Sequence, residues 1–309
     1  TGVEYVRGGV TRRVRARAET LLCAGALGSP KLLMTSGIGP AAHLRELGIP
    51  VVQDLAGVGA NLCEHPGAMV SIDVNVSTYN TEIGSHRMAL HLANWLLFAR
   101  GPATSPYPHS VAFVRTDPAA PRPDVQIMLG PYAFSFSEAG IVPYEKPAVS
   151  AAINPSYPKA RGRVRLRSAD PHDRPRIEHA LLAADEDLDA LIRGSELCRR
   201  IFAQDAFAPY RIGERLPGPD VRTRDEWVDY LRRTAFLGYH PVGTCRMGPA
   251  GDPGAVVDPQ LRVRGVAGLR VVDASVMPTP ISGNTNGATL MIGERAAELV
   301  LGARVREAA

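Results

Sequence analysis

The run Tyr239-His240-Pro241-Val242-Gly243-Thr244-Cys245-Arg246-Met247-Gly248 sets one histidine in a turn-rich stretch that contains Pro241, Gly243 and Gly248. Such a stretch holds a side chain in a loop or at the end of an element, where sites tend to sit. A neutral imidazole titrates near working pH and can take the proton of a hydroxyl group. A second run, Gly283-Asn284-Thr285-Asn286-Gly287, places two asparagines and two glycines ahead of the apolar, helix-like stretch Ala288 to Leu301. An amide donates to an alkoxide without titrating. The start of a helix, with free N–H groups and a positive dipole end, favours a negative atom. A histidine base, an amide and such a helix together suit removal of a proton and a hydride from an alcohol.

The elements that must position these residues are drawn from 309 residues, enough for one large domain or two ordinary ones. Apolar residues make up 45% and charged residues 21%, ordinary values for a globular protein. The formal charge is 35 − 31 = +4, and the arginines are spread without a block of like charge, so no nucleic acid partner is expected. Cys23, Cys63, Cys198 and Cys245 are far apart and form no C-x-x-C pair. They read as reduced thiols, and the expected compartment is the cytoplasm. Cys63-x-His65 and His240-x4-Cys245 carry metal-capable side chains, but neither repeats at structural-zinc spacing, so no metal is expected. No apolar run reaches the ~18 to 20 residues of a membrane span. The chain opens on Thr1-Gly2-Val3-Glu4-Tyr5 in the style of a strand and without a starting methionine, so it is expected to be part of a longer one.

Taken in order, Val3 to Val6, a Gly8-Gly9 turn and Val14 to Leu22 suggest a hairpin. Cys23 to Pro30 is a strand end turning into a helix that starts near Ser29 and ends at Ser36-Gly37-Ile38-Gly39-Pro40. A short helix from His43 to Gly48 and a strand from Ile49 to Val52 follow. Met88 to Phe98 reads as an amphipathic helix. Gly101 to Pro108 reads as a proline-rich loop, and Gly130 to Pro147 as a long, irregular aromatic one that could be a lid or a binding wall. Val149 to Asn154 and Arg163 to Arg167 read as strands of an antiparallel sheet. Asp185 to Ala203 is a helix with Leu188, Leu191, Ile192 and Ile201 near one stripe. Thr223-Arg224-Asp225-Glu226 fits a capping box that opens the helix leading to His240. Near the end, Val256 to Asp258 and Leu261 to Val263 are short strands, and Leu269 to Asp273 is an apolar strand with an acid at its carboxyl end. In open α/β sheets that end faces the ligand.

Gly25 to Gly39 and Tyr239 to Gly248 closely resemble sequence signatures of the glucose–methanol–choline (GMC) oxidoreductases, flavoproteins that oxidise alcohols. The resemblance is strong over 20–66 and 236–301 and weaker between. It implies a base at His240 and, registering on Thr289 and Gly293, a substrate-oxygen partner at Asn286. Asn284 is the rival if that register is off by two, and an N-cap is the structural role open to Asn286. It also implies an FAD site that uses Ala24, Gly25, Asn61, Asp273, Ala274, Asn284 and Thr285, with His65 in the same cofactor-side loop as Asn61. The implied fold is α/β with an α+β part. A partial doubly wound FAD-binding domain (1–69 and 236–309) would stand beside an antiparallel-sheet substrate-binding domain (70–235). Gly57-x-Gly59 looks like the start of a dinucleotide fingerprint, but Leu62 stands where the third glycine should be. In the family the true G-x-G-x-x-G lies near the amino terminus, so a missing amino-terminal segment is an expected partner, alongside a small-molecule alcohol. Two other readings stay open, a hydroxynitrile-lyase activity on the same scaffold and a non-catalytic chain that needs a separate amino-terminal half. A Ser-His hydrolase is poorly supported, because no G-x-S-x-G appears.

Overall fold

The computed structural model describes residues 2–83, 86–104, 108–137 and 140–307. Parts of the expected Gly101–Pro108 and Gly130–Pro147 loops, and both chain ends, lie outside these residues. The chain divides into two compact units. One comprises Thr1–Glu64, Ala160–Leu181 and Tyr239–Ala309; the other comprises His65–Lys159 and Leu182–Gly238.

In the first unit, Gly2–Arg7 pairs antiparallel with Val10–Arg15 around the Gly8-Gly9 turn. The second arm therefore starts at Val10 rather than Val14. Thr20–Leu22 is a separate strand, paired in parallel with Leu269–Val271, because its amides and carbonyls are claimed by a distant segment. The helix expected near Ser29 begins at Gly25 and runs to Thr35, so Pro30 lies inside it, where it removes one i→i−4 hydrogen bond. The strand expected over Ile49 to Val52 lies slightly later, as Gln53–Asp54 in parallel with Ile38–Gly39. Val256 to Asp258 and Leu261 to Val263 hold only isolated bridges, such as Val257 to Val263. The last helix, Asn286–Glu307, starts two residues before the expected Ala288. Leu33, Met34, Leu44, Val58, Val242, Val257, Val271 and Val276 are buried in one core that joins these pieces.

Residues 160–181 belong to this unit, whereas the sequence reading assigns them to the substrate-binding domain. Backbone pairing explains the difference. Leu62 and Gly162 exchange hydrogen bonds, and the Val164 amide donates to the Gly59 carbonyl at 2.6 Å. Arg163–Arg165 then pairs with Arg176–Glu178 as a hairpin of its own, not with Ala148–Pro155.

The second unit is built on an antiparallel sheet in the order Arg211–Leu216, Pro66–Val74, Ala148–Pro155, Val125–Gly130, Ser110–Val114. The helix Asp185–Phe202 packs on it with Leu188, Leu191 and Ile192 buried, the stripe read from the sequence. Gly194 makes that approach possible, since a Cβ there would stand 2.6 Å from Ile153. Thr223 and Glu226 form the expected capping box at the start of Arg224–Thr234. One expectation changes. The aromatic stretch 130–147 contains a hairpin of Phe134–Ser137 with Gly140–Pro143. The amphipathic helix, His86–Phe98, has no buried residue, and Leu96, Leu97 and Phe98 are exposed.

Candidate functional site

His240 follows Tyr239, a non-glycine residue at φ +60°. This left-handed step turns the chain sharply and is unusual for an aromatic residue. The turn is fixed on both sides. The His240 amide donates to Glu64 Oε1 at 2.8 Å. Two residues on, Val242 and Cys63 exchange backbone hydrogen bonds at 2.9 and 3.0 Å. Gly243 then takes φ +91°, with the place of a Cβ only 2.5 Å from the Asn61 carbonyl oxygen. A glycine is required there on two counts.

The His240 imidazole is half-buried, and burial lowers its pKa below the ordinary value. Its Nε2 lies 3.0 Å from Asn284 Nδ2. An amide nitrogen only donates, so Nε2 is the acceptor and the neutral ring carries its proton on Nδ1. The structure brings Asn284, the rival in the sequence reading, to His240, while Asn286 is the residue that registering on Thr289 and Gly293 selects. Asn286 is the first residue of the last helix and is exposed. Thr285, between them, is buried, and its carbonyl accepts from the Thr289 amide and hydroxyl.

The residues expected at a cofactor form a connected set. Asp273, at the carboxyl end of Leu269–Val271 and 6% exposed, accepts from the Gly25 amide at 3.0 Å and the Ser29 hydroxyl at 2.5 Å through Oδ2. Its Oδ1 accepts from the Ser275 amide at 2.8 Å. The Ser29 hydroxyl in turn accepts from the Ala24 amide. Asp273 thus clips the turn into the helix Gly25–Thr35 onto the neighbouring strand. The Ala274 carbonyl accepts from the Gly243 amide, which connects this clip to the histidine loop. Asn61, at φ +56°, donates to the carbonyls of Gly243 and Pro278 and accepts from Arg161. Its amide ties loops together. His65 belongs to the second unit.

Sequence reasoning passed over Glu64, Ser29 and Thr244. Glu64 is 5% exposed. A carboxylate set between the apolar pair Leu62-Cys63 and a histidine was the available signal. Ser29 and Thr244 gave none, since one hydroxyl among many has no periodicity. Thr244 is fully buried and donates to the Ala26 carbonyl.

This combination is a mixed α/β scaffold with a histidine–amide pair held by turns. Two family models, both described as GMC oxidoreductase, match residues 1–67 and 158–293. The chain belongs to the GMC oxidoreductase family. It is 40% identical over 302 residues to the oxygen-dependent choline dehydrogenase of Brucella canis, covering 97% of this chain and 55% of that protein. Among solved structures it is similar to pyridoxine 4-oxidase from Mesorbium loti, with 31% identity and a TM-score of 0.77 over 96% of this chain and 54% of that one. An FAD-dependent oxidoreductase from Chaetomium thermophilum gives 26% identity and a TM-score of 0.82, covering 98% and 59% respectively. The chain spans just over half the length of these proteins.

Proposed function

We propose that this chain carries the proton-abstracting part of an FAD-dependent oxidoreductase acting on the CH–OH group of a small alcohol. The observation that carries the reading is the 3.0 Å contact between His240 Nε2 and Asn284 Nδ2 within the family's histidine motif. Burial favours the neutral imidazole, and its Nε2 lone pair, which accepts from Asn284 in this structure, would receive the hydroxyl proton when the substrate oxygen takes that place. Asn284 donates toward the same point, which suits holding the substrate oxygen as it gains negative charge. In this reading the first unit, which holds both His240 and Asn284, is the flavin side.

The residues present fit the flavin. The first amide of the helix Gly25–Thr35 is held by Asp273, and a Cβ on Gly25 would meet nothing within 4 Å, which leaves room for a cofactor beside the small residues Ala24 and Gly25. Ala24, Gly25, Ala274 and Thr285 would hold the cofactor, with Asp273 and Asn61 keeping those loops in place. Bound FAD would supply the hydride acceptor. A segment corresponding to the rest of the relatives' length would complete its site, in the same chain or as a separate one. The relatives act on choline and pyridoxine by name, which supports a small alcohol. Nothing in the comparisons favours a lyase.

The test is to incubate the purified protein with FAD, desalt it and record the absorption spectrum. A panel of alcohols is then added without air. Retained flavin bleached by an alcohol supports the reading. Retained flavin that no alcohol bleaches contradicts it.

A further inference from the structure

We propose that Glu64 is a positioning residue for His240. The proposal rests on the reading of His240 as the base. Three observations converge on it. The Glu64 carboxylate accepts from the His240 backbone amide at 2.8 Å. It does so from a buried position, 5% exposed, where a carboxylate is costly unless bonded. The left-handed backbone at Tyr239 is the step that aims the His240 N–H at that carboxylate. The surrounding pairing makes the arrangement stiff, because Cys63 and Val242 exchange backbone bonds next to it and Leu62 is paired with Gly162. Glu64 is therefore the last residue of a braced segment that grips the histidine loop by its main chain.

A carboxylate oxygen of Glu64 also lies within 4.8 Å of a ring nitrogen of His240. When the base takes a proton from an alcohol, the ring becomes an imidazolium in a half-buried place. A fixed negative charge at that distance offsets the cost of the new positive one. The same side chain thus sets where the ring stands and favours the charge it acquires. No atom of Glu64 need touch the substrate, so it positions and does not react.

Two variants separate the roles. Glu64→Gln keeps an oxygen acceptor for the His240 amide and removes the charge. Glu64→Ala removes both. The first readout needs no flavin: the amide proton shift of His240 by NMR in the 309-residue chain. It should stay near the wild-type position in E64Q and move upfield in E64A. In the flavin-loaded enzyme, kcat should fall about 10-fold in E64Q and about 100-fold in E64A, with KM within about 3-fold of wild type.

An unchanged His240 amide in E64A, or E64Q as impaired as E64A in both readouts, overturns the proposal. Should E64A fail to fold, Tyr239→Gly loosens the same turn without touching the carboxylate. It should shift the His240 amide and lower kcat while flavin is retained, and an unchanged amide and kcat would overturn the proposal. The base reading fails separately, if His240→Ala keeps its turnover while the amide shift still answers to Glu64.

Discussion

Asn284 Nδ2 and His240 Nε2, 44 residues apart in sequence, stand 3.0 Å from one another. The pair joins the last turn before the final helix to the loop after Tyr239. It is made by Asn284, the rival to the Asn286 that the register on Thr289 and Gly293 selects. Asn284→Ala should therefore lower kcat/KM by about 10- to 100-fold, the scale of losing one oriented donor. Asn286→Ala should stay within about 3-fold. Steady-state assays of both variants check this, and the reverse order would restore the other register.

The imidazole must be neutral to accept a proton, and burial lowers its pKa. The active form is therefore retained to lower pH than an ordinary histidine would allow. kcat/KM should rise with pH through an apparent pKa below about 6.5 and then level. A pH–rate profile checks this. A profile that rises only above about 7 would show that another group, or a charged His240, governs the reaction.

Asp273 receives two backbone amides and a hydroxyl. Asp273→Ala leaves these donors without their acceptor in a buried place, at a cost of about 2–5 kcal/mol. Thermal unfolding should show a clear loss of stability, and the variant should retain less flavin. Asp273→Asn, which keeps an acceptor, should lose less. Equal stability of D273A and wild type would remove Asp273 from the framework.

Gly243→Ala should be among the more disruptive small substitutions. The added methyl carbon meets the Asn61 carbonyl at 2.5 Å and the Asn61 amide at 2.7 Å, on a backbone at φ +91°. The expected loss is about 2–4 kcal/mol, seen as a lower midpoint in urea. Gly251→Ala, where nothing lies within 4 Å, is the control and should be near neutral.

In the second unit, acid should remove a contribution made by Glu82. Hydrogen bonds from Ser77, His91 and Arg87 pull its pKa down to about 2. A depressed carboxylate pKa means that its contribution is present above the unfolded value of about 4.3 and is lost as pH falls toward 2. In Glu82→Gln, stability should fall less steeply between pH 4.5 and 2 than in wild type, measured by denaturant unfolding across that range. Parallel curves would show that the cluster contributes nothing to acid sensitivity.

The sequence carried the local signals well. The capping box at Thr223 and the stripe Leu188, Leu191 and Ile192 depend on residues a few positions apart, and both are found where expected. Family motifs located His240, Gly25 and Asp273, which the structure joins into one set of loops. Long-range backbone pairing was not legible. Thr20–Leu22 is a strand because Leu269–Val271 lies beside it, and 160–181 belongs with 1–64 because Gly162 meets Leu62. Neither partner leaves a mark on the other's sequence. The asparagines show the same division: counting from Thr289 and Gly293 selects Asn286 along the chain, whereas the contact with the imidazole is made by Asn284. Met88 to Phe98 was read as an amphipathic helix and is one, within His86–Phe98, but periodicity says nothing of what lies against the apolar side.

The most direct test of the central claim is the rate at which an alcohol bleaches the bound flavin in His240→Ala, measured by anaerobic stopped-flow. The account predicts normal flavin content and bleaching slowed by about 10²- to 10⁴-fold, the usual contribution of a general base. Bleaching at the wild-type rate in a fully flavin-loaded His240→Ala protein would contradict it.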